Sequence, residues 1–200
     1  NDSFTPKPAR PKAGSNDVHR NDFSHTVPAA MDMLNELKQQ GLPLKQDETG
    51  RAAPPAPVAL IREHLKTDAK SLGQSVAIEV VGMMIEQLTN DYRLLAPIKQ
   101  IIANAEPAFL RLAVSDPRFF NDKNHPARRL LNVITSRSLA YSSEEAHGFA
   151  GFMSDLHNVA ELLTEEHASD AQHFATLLQD FEKRQLIRSR EADSARERAV

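Results

Sequence analysis

The chain has 200 residues, 40% of them hydrophobic and 26% charged, and this balance predicts one soluble globular domain with tails. It contains no cysteine, which excludes disulfides, thiol catalysis and zinc sites built on thiolate ligands. Lysine and arginine number 24 against 27 acidic residues, so the chain has no overall positive field to attract nucleic acid, and we expect no nucleic-acid partner.

The N-terminal quarter is predicted to lie outside the main domain. Residues 1–26 are rich in proline and polar side chains and hold few large apolar ones, so we expect a disordered tail. They have neither the basic start nor the apolar core of a secretion signal, and no apolar run in the chain approaches the roughly 18–20 residues that span a bilayer. We therefore expect a cytoplasmic protein without a membrane partner.

Residues 28–40 are predicted to form a short amphipathic helix. Pro28 suits a first helical turn, and Gly41 suits a C-cap. Three apolar side chains recur at helical spacing and could bind either the main domain or a partner protein: Met31, Leu34 and Leu37. The proline-rich stretch at 41–57 is predicted to be a linker, and the helical domain to occupy 58–200.

The first strongly apolar segment of the domain is SVAIEVVGMMIEQLTND, which begins at Ser75 and predicts a buried helix. Glu79 and Glu86 interrupt it seven residues apart and therefore share one stripe of that helix. Because a buried carboxylate is costly unless it is paired, we expect this stripe to face solvent or a basic partner such as Arg93 or Arg111.

The next segment, LLAPIKQIIANAEPAFLRLAV, contains two prolines among its apolar residues. Pro97 and Pro107 each stand where a first helical turn tolerates proline. The segment is therefore predicted to form two short helices.

The stretch VSDPRFFNDKNHPARRLLNVI, residues 114–134, is predicted to be a corner between two helices. Asp116 is predicted to cap its first turn, and Asn124 or His125 to cap the helix that follows. The apolar residues around these caps would then fold back onto the neighbouring helices.

The same corner holds a candidate anion site. Four residues with positive or titratable side chains lie near the start of the second helix: Lys123, His125, Arg128 and Arg129. A helix N-terminus also offers free amides, so the group could hold a phosphate or a nucleotide. The alternative is that the two arginines form internal ion pairs with Asp116 or Asp122, since the helix dipole disfavours cations at that end.

Two further helices are predicted in the C-terminal third. The first opens with Ser142 and Glu145 in the S-x-x-E capping box and continues with apolar residues at three-and-four spacing. The last begins near Ser169, is apolar at first and then becomes almost wholly charged. Such an end is typical of a solvated helix or of the start of a coiled coil, and it could join two copies of the chain.

The histidines and carboxylates suggest a metal site. Glu144 and His147 form an E-x-x-H motif, and Asp170 and His173 form a D-x-x-H motif. On two antiparallel helices, with glutamates donated by the buried helix, these pairs would outline a di-iron carboxylate bundle. The alternative is that they cap helix starts or face solvent, because carboxylates are favoured in a first helical turn.

The string FF-x(4)-HPARRLLN within the corner, with the helices around it, resembles the bacterial family called domain of unknown function 1631. The resemblance covers about 81–198, including the charged C-terminal helix, and the segment before residue 58 does not contribute to it. It implies a helical fold, membership of longer chains, no established activity and no catalytic residues. Some members carry the label thymidine phosphorylase, but no glycine-rich phosphate loop in this chain supports that activity.

These observations together predict an all-α fold, an irregular bundle of five to seven helices with a disordered N-terminal tail and a long charged C-terminal helix. The function they favour is non-enzymatic: a regulatory or scaffolding module that binds another protein in a bacterial cytoplasm, without a cofactor. The alternative is a helical sensor or enzyme that holds a nucleotide, a phosphate or a metal in its core.

Overall fold

The computed structural model of the protein describes residues 28–29, 32, 56–164 and 170–198. Within these ranges the chain forms seven α-helices and no strand. In chain order they are α1 (Ala56–Asp68), α2 (Leu72–Asn90), α3 (Ala96–Ser115), α4 (Arg118–Asn121), α5 (Pro126–Ser138), α6 (Phe149–Leu163) and α7 (Ala171–Arg198). The predicted all-α fold and the long charged C-terminal helix are therefore confirmed.

The antiparallel helices α2 and α3 form the centre of the domain. The Ser71 hydroxyl caps α2 by accepting the Gln74 N–H at 3.2 Å. The Gln74 side-chain amide donates to the carbonyl of Val114 at the far end of α3, at 3.0 Å, which fixes the antiparallel alignment. Both helices are buried along their length, as the apolar segment from Ser75 predicts.

The prediction of two short helices around Pro97 and Pro107 is wrong, because α3 is one continuous helix with Pro107 in its interior. An interior proline removes one backbone hydrogen bond and crowds the preceding turn, at a cost of about 3 kcal/mol. Ala105 before the proline and Phe109 after it are both buried in the same core. The burial of side chains on both sides of the proline outweighs its local cost.

The second half of the core forms where α7 packs against α5 and α6. One pair of aromatic rings links α7 to α3, since the Phe109 and Phe174 ring centroids lie 5.4 Å apart. A second pair links α7 to α6, with the Phe152 and Phe181 centroids 6.1 Å apart. The first half of α7 buries one apolar side in this core, and from Leu186 onward its residues are exposed apart from the half-buried Ala192. Half of the longest helix therefore lies against the domain, and half projects from it.

The prediction that a helix begins at Ser142 is wrong. Residues 139–148 form turns, and α6 begins at Phe149 after Gly148, whose φ of 84° lies in the left-handed region that favours glycine. The Tyr141 ring packs 5.5 Å from the Phe149 ring and 5.0 Å from the Phe152 ring, centroid to centroid. The partly buried Tyr141 therefore packs on α6 from the turn before it, and this tertiary contact accompanies a helix start later than the S-x-x-E pattern predicts.

Part of the predicted N-terminal helix can be compared with the structure. Pro28, Ala29 and Asp32 are helical, and Ala29 packs partly buried against the core. The proposed partner-binding residues Met31, Leu34 and Leu37 lie outside the described residues, as do the predicted tail and most of the predicted linker. Among the helices that the structure describes, none has the length and apolar character needed to cross a membrane.

Candidate functional site

The corner between α3 and α5 is held together by Asp116. Its carboxylate accepts the backbone N–H of Arg118 at 3.1 Å and the Nε–H of the Arg118 guanidinium at 2.8 Å. Across the corner, the Nδ1 of His125 accepts the Ala127 N–H at 3.2 Å and so caps α5. Both predicted caps are therefore confirmed, with His125 rather than Asn124 as the second.

His125 is part of the same polar cluster although only 2% of its surface is exposed. Because Nδ1 accepts a hydrogen bond, the neutral ring carries its proton on Nε2, which lies 3.6 Å from the Asp116 Oδ2. Burial by itself raises the pKa of Asp116, but the hydrogen bonds from the side chain and the backbone N–H of Arg118 outweigh it and hold this pKa well below its usual range. The carboxylate is thus ionised at neutral pH and bridges the two ends of the corner.

The depressed pKa of Asp116 predicts a loss of stability in acid. A carboxyl that is more acidic in the folded chain stabilises the fold above its unfolded-state pKa of about 3.9, and this contribution disappears as the pH falls towards the folded value. The free energy of unfolding, measured by urea titration at pH 7, 5 and 3.5, should therefore fall less steeply in Asp116→Asn than in the wild type. Asp122→Asn is the matched control, because Asp122 is exposed and its side chain caps the next turn. A wild-type slope retained in Asp116→Asn would contradict this role.

The four residues of the predicted anion site do not share one cluster of free positive charge. Arg129 pairs with Glu182 of α7, with 3.6 Å between its Nη2 and the glutamate Oε1. Arg128 donates from Nη1 to the Phe120 carbonyl at 3.4 Å, while Lys123 is exposed. The expected pairing of Arg129 with Asp116 or Asp122 is wrong, because Arg118 holds Asp116 and the packing of α7 brings Glu182 to Arg129.

A cavity of about 290 Å³ lies beside the corner, where the start of α5 meets the start of α7. Its lining is composed of Arg118, Asp122, His125, Pro126, Asp170, Ala171, Gln172 and Ala175. Of the predicted anion-binding residues only His125 takes part, and the one arginine in the lining is already bound to Asp116. Hydrogen bonding to Asp116 raises the pKa of Arg118, and the charges of Asp122 and Asp170 act in the same direction. The described lining therefore offers more negative than positive charge.

The geometric basis of the predicted metal site is wrong at Glu144 and His147. These residues lie in the turns before α6, so they do not share a helical face. Asp170 caps α7 by accepting the Gln172 N–H at 3.1 Å, and a ring nitrogen of His173 lies 3.1 Å from the Leu162 carbonyl. In the described part of the chain, no three histidine, aspartate or glutamate side chains converge as metal ligands would.

Glu79 and Glu86 have basic partners, as predicted, but the partners come from α1. Glu79 pairs with Lys66, and Glu86 lies 3.3 Å from the Nη1 of Arg62. The suggested partner Arg93 instead binds the buried Asp91, with 2.9 Å between its Nη2 and the aspartate Oδ2. The stripe of glutamates on α2 is the surface against which α1 is held.

Besides Asp91, two buried carboxylates within helices were not identified from the sequence. Glu106 on α3 is 2% exposed and accepts from the Arg62 Nε at 2.5 Å. Asp155 on α6 is 1% exposed and accepts from the Gln185 Nε2 at 2.9 Å and the Arg188 Nε at 2.6 Å. Both carboxylates stand at positions where the apolar repeat of their helices predicts a core residue. An acidic residue at such a position was the signal in the sequence that could have identified them.

Each of the two arginines that bind these carboxylates lies over a glycine. A Cβ atom at Gly82 would come within 2.9 Å of the Arg62 Cζ, and a Cβ at Gly151 within 2.9 Å of the Arg188 Cζ. The glycines thus provide the space in which a flat guanidinium reaches a buried acid. The same construction fastens α1 to the hairpin of α2 and α3, and α7 to α6.

The geometry defines an all-α module whose polar clusters fasten one helix to another. The family model described as "Protein of unknown function (DUF1631) 2nd domain" matches residues 24–170, which are 147 of the 200 residues, so the chain belongs to this family. The match extends further towards the N-terminus than the resemblance indicates, since it includes the segment before residue 58, and it ends where α7 begins. No curated protein and no solved structure matches the chain.

Proposed function

We propose that this chain is a non-enzymatic module that binds another protein, with a regulatory or scaffolding role in a bacterial cytoplasmic protein. The observation that supports this most directly is the projecting end of α7. Residues 186–198 are exposed apart from the half-buried Ala192, and at 1.5 Å per residue they extend about 20 Å. Leu186 and Ile187, which are 51% and 47% exposed, place apolar surface where this projection begins.

The base of the projecting helix is rigidly held. Arg188 binds both oxygens of Asp155, and Gln185 donates to one of them, so that the direction of α7 is set by a buried acid on α6. A helix fixed in this way needs little further ordering when a partner binds, which lowers the entropic cost of association. In the corner, in contrast, the carboxylate of Asp116 is engaged by Arg118 of the same corner, which supports an architectural role.

Affinity capture from a bacterial lysate tests this proposal. The baits are the full chain, a chain that ends after Ser189, and the double variant Leu186→Glu/Ile187→Glu. Ending the chain after Ser189 retains Gln185 and Arg188, so the buried carboxylate of Asp155 keeps its partners. We expect a protein that the full chain captures to be lost with both altered baits. Equal capture by all three would contradict a role for α7.

Light scattering distinguishes a second copy of the chain from a different protein. If α7 joins two copies, the full chain should have twice the monomer mass of 22.2 kDa, and the chain that ends after Ser189 should be monomeric. If the full chain and the shortened chain have the same oligomeric state, the end of α7 is not part of a homodimer interface. The proposed partner is then a different protein.

A further inference from the structure

The helix α1 is attached to the domain differently from its neighbours. Of its side chains between Val58 and Asp68 only Val58 is buried, while Ile61 and Leu65 are partly buried against the core. The helices beneath it contribute eight buried residues from α2 and ten from α3. Because apolar burial is the main source of stability, the core of α2 and α3 depends little on α1.

Charged side chains hold α1 instead. Arg62 donates from Nε to the Glu106 Oε1 at 2.5 Å, and its Nη1 lies 3.3 Å from the Glu86 Oε1. One turn further along, Lys66 pairs with Glu79. Val58, Arg62 and Lys66 are spaced four residues apart, so an apolar side chain, an arginine and a lysine form one stripe that faces α2 and α3.

The surface under this stripe is shaped to accept an arginine. Glu106 provides a buried carboxylate on α3, Glu86 provides a second one on α2, and Gly82 leaves room for the guanidinium between them. Burial raises the pKa of Glu106, although Arg62 opposes the shift, so the carboxylate is held there at an energetic cost. Well-packed apolar side chains would stabilise the same contact equally well or better. What the buried acid adds is selectivity for a helix that carries an arginine.

We propose that the groove between α2 and α3 is a binding site for an amphipathic helix, that α1 occupies it in the free chain, and that a partner helix with an arginine four residues after an apolar anchor displaces α1. This inference rests on the proposed role in protein binding and names the chemistry of the partner. Recognition of this kind uses anchors on one face of a helix, at the spacing that α1 itself shows.

The short connection between α1 and α2 determines how strongly α1 competes with a partner helix for the groove. Only residues 69–71 separate α1 from α2, so α1 faces the groove at an effective concentration in the millimolar range or above. A separate helix with the same contacts therefore binds the wild-type chain weakly, and it binds well only when α1 is weakened or when the partner makes additional contacts. α1 thus acts as a built-in competitor.

A labelled synthetic peptide with the sequence of α1, APVALIREHLKTD, serves as the probe, and fluorescence anisotropy measures its binding to the full chain. The Arg62→Ala chain loses the anchor of its own α1, and we expect it to bind the peptide roughly a hundredfold more tightly than the wild type does. Adding Glu106→Gln to this chain should abolish the gain. A peptide whose arginine is replaced by alanine should not bind to any of the chains.

The Arg62→Ala chain could fail to fold, because its buried Glu106 loses its arginine. A second variant therefore keeps the inference testable. Val58→Asp removes the apolar anchor of α1 but leaves the groove residues unchanged, and we expect it to bind the peptide in the same way. No saturable binding to either folded variant, or equal binding of the alanine peptide, overturns the inference. If that result accompanies a loss of lysate capture that depends on α7, the groove is rejected and the proposed function is retained.

Discussion

Replacing Phe109 with alanine should lower the free energy of unfolding by about 3–5 kcal/mol, the largest effect we expect from a single substitution in this chain. The ring is almost fully buried on α3 and lies 6.3 Å from the Phe119 ring and 5.4 Å from the Phe174 ring, centroid to centroid. It therefore joins the central hairpin, the corner and the long helix α7. Urea unfolding followed by circular dichroism at the helical band measures the change.

Tyr92→Ala is the matched control, because it also truncates an aromatic side chain but at an exposed position between α2 and α3. Its effect should stay within about 0.5 kcal/mol. If Phe109→Ala cost no more than this control, Phe109 would not be the contact that unites the two halves of the core.

The parts of the fold that could be predicted from the sequence are those determined by local chemistry. The apolar repeat predicts α2, because a segment that is apolar on nearly all sides has to be buried. Asp116 and His125 could be assigned as caps for a similar reason, since a cap depends on its own residue and the next two or three along the chain.

Other features of the fold depend on which helices pack against each other, and this cannot be predicted from the residues next to one another in the sequence. Pro107 has the local preference of a helix start, yet α3 runs through it because its two halves are buried in one core. Ser142 and Glu145 have the pattern of a capping box, yet Tyr141 packs on α6 and the helix begins later. In both cases tertiary burial outweighs a preference of about 1–3 kcal/mol.

The partners of charged residues were the least predictable part of the candidate site. A glutamate on α2 that faces a basic residue was expected, but the identity of that residue depends on α1 lying across the groove. Likewise, Arg129 could pair with an acid nearby in sequence or with one brought to it by packing, and Glu182 of α7 is the one it meets. Charge pairs of this kind follow from how the helices are arranged, so they cannot be predicted until that arrangement is known.

Replacing Arg188 with alanine should destabilise the chain by about 2–3 kcal/mol, because it leaves the carboxylate of Asp155 buried with Gln185 as its remaining described donor. The full cost of breaking a buried pair is about 3–5 kcal/mol, and we expect less here because the Arg188 side chain is partly exposed and water can reach its position. The direction of α7 should also become less fixed. Faster hydrogen exchange of the amides between 182 and 190 would report this change.

Arg190→Ala provides the control for charge, since it removes an arginine from an exposed position two residues further along the same helix. We expect its effect on the free energy of unfolding to stay within about 0.5 kcal/mol. The double variant Asp155→Asn/Arg188→Ala tests whether the unpaired buried charge causes the loss of stability. An amide keeps the shape of the carboxylate without its charge, so the double variant should be more stable than Arg188→Ala alone. A double variant less stable than Arg188→Ala would mean that Arg188 acts through its packing on Gly151 rather than through the buried charge.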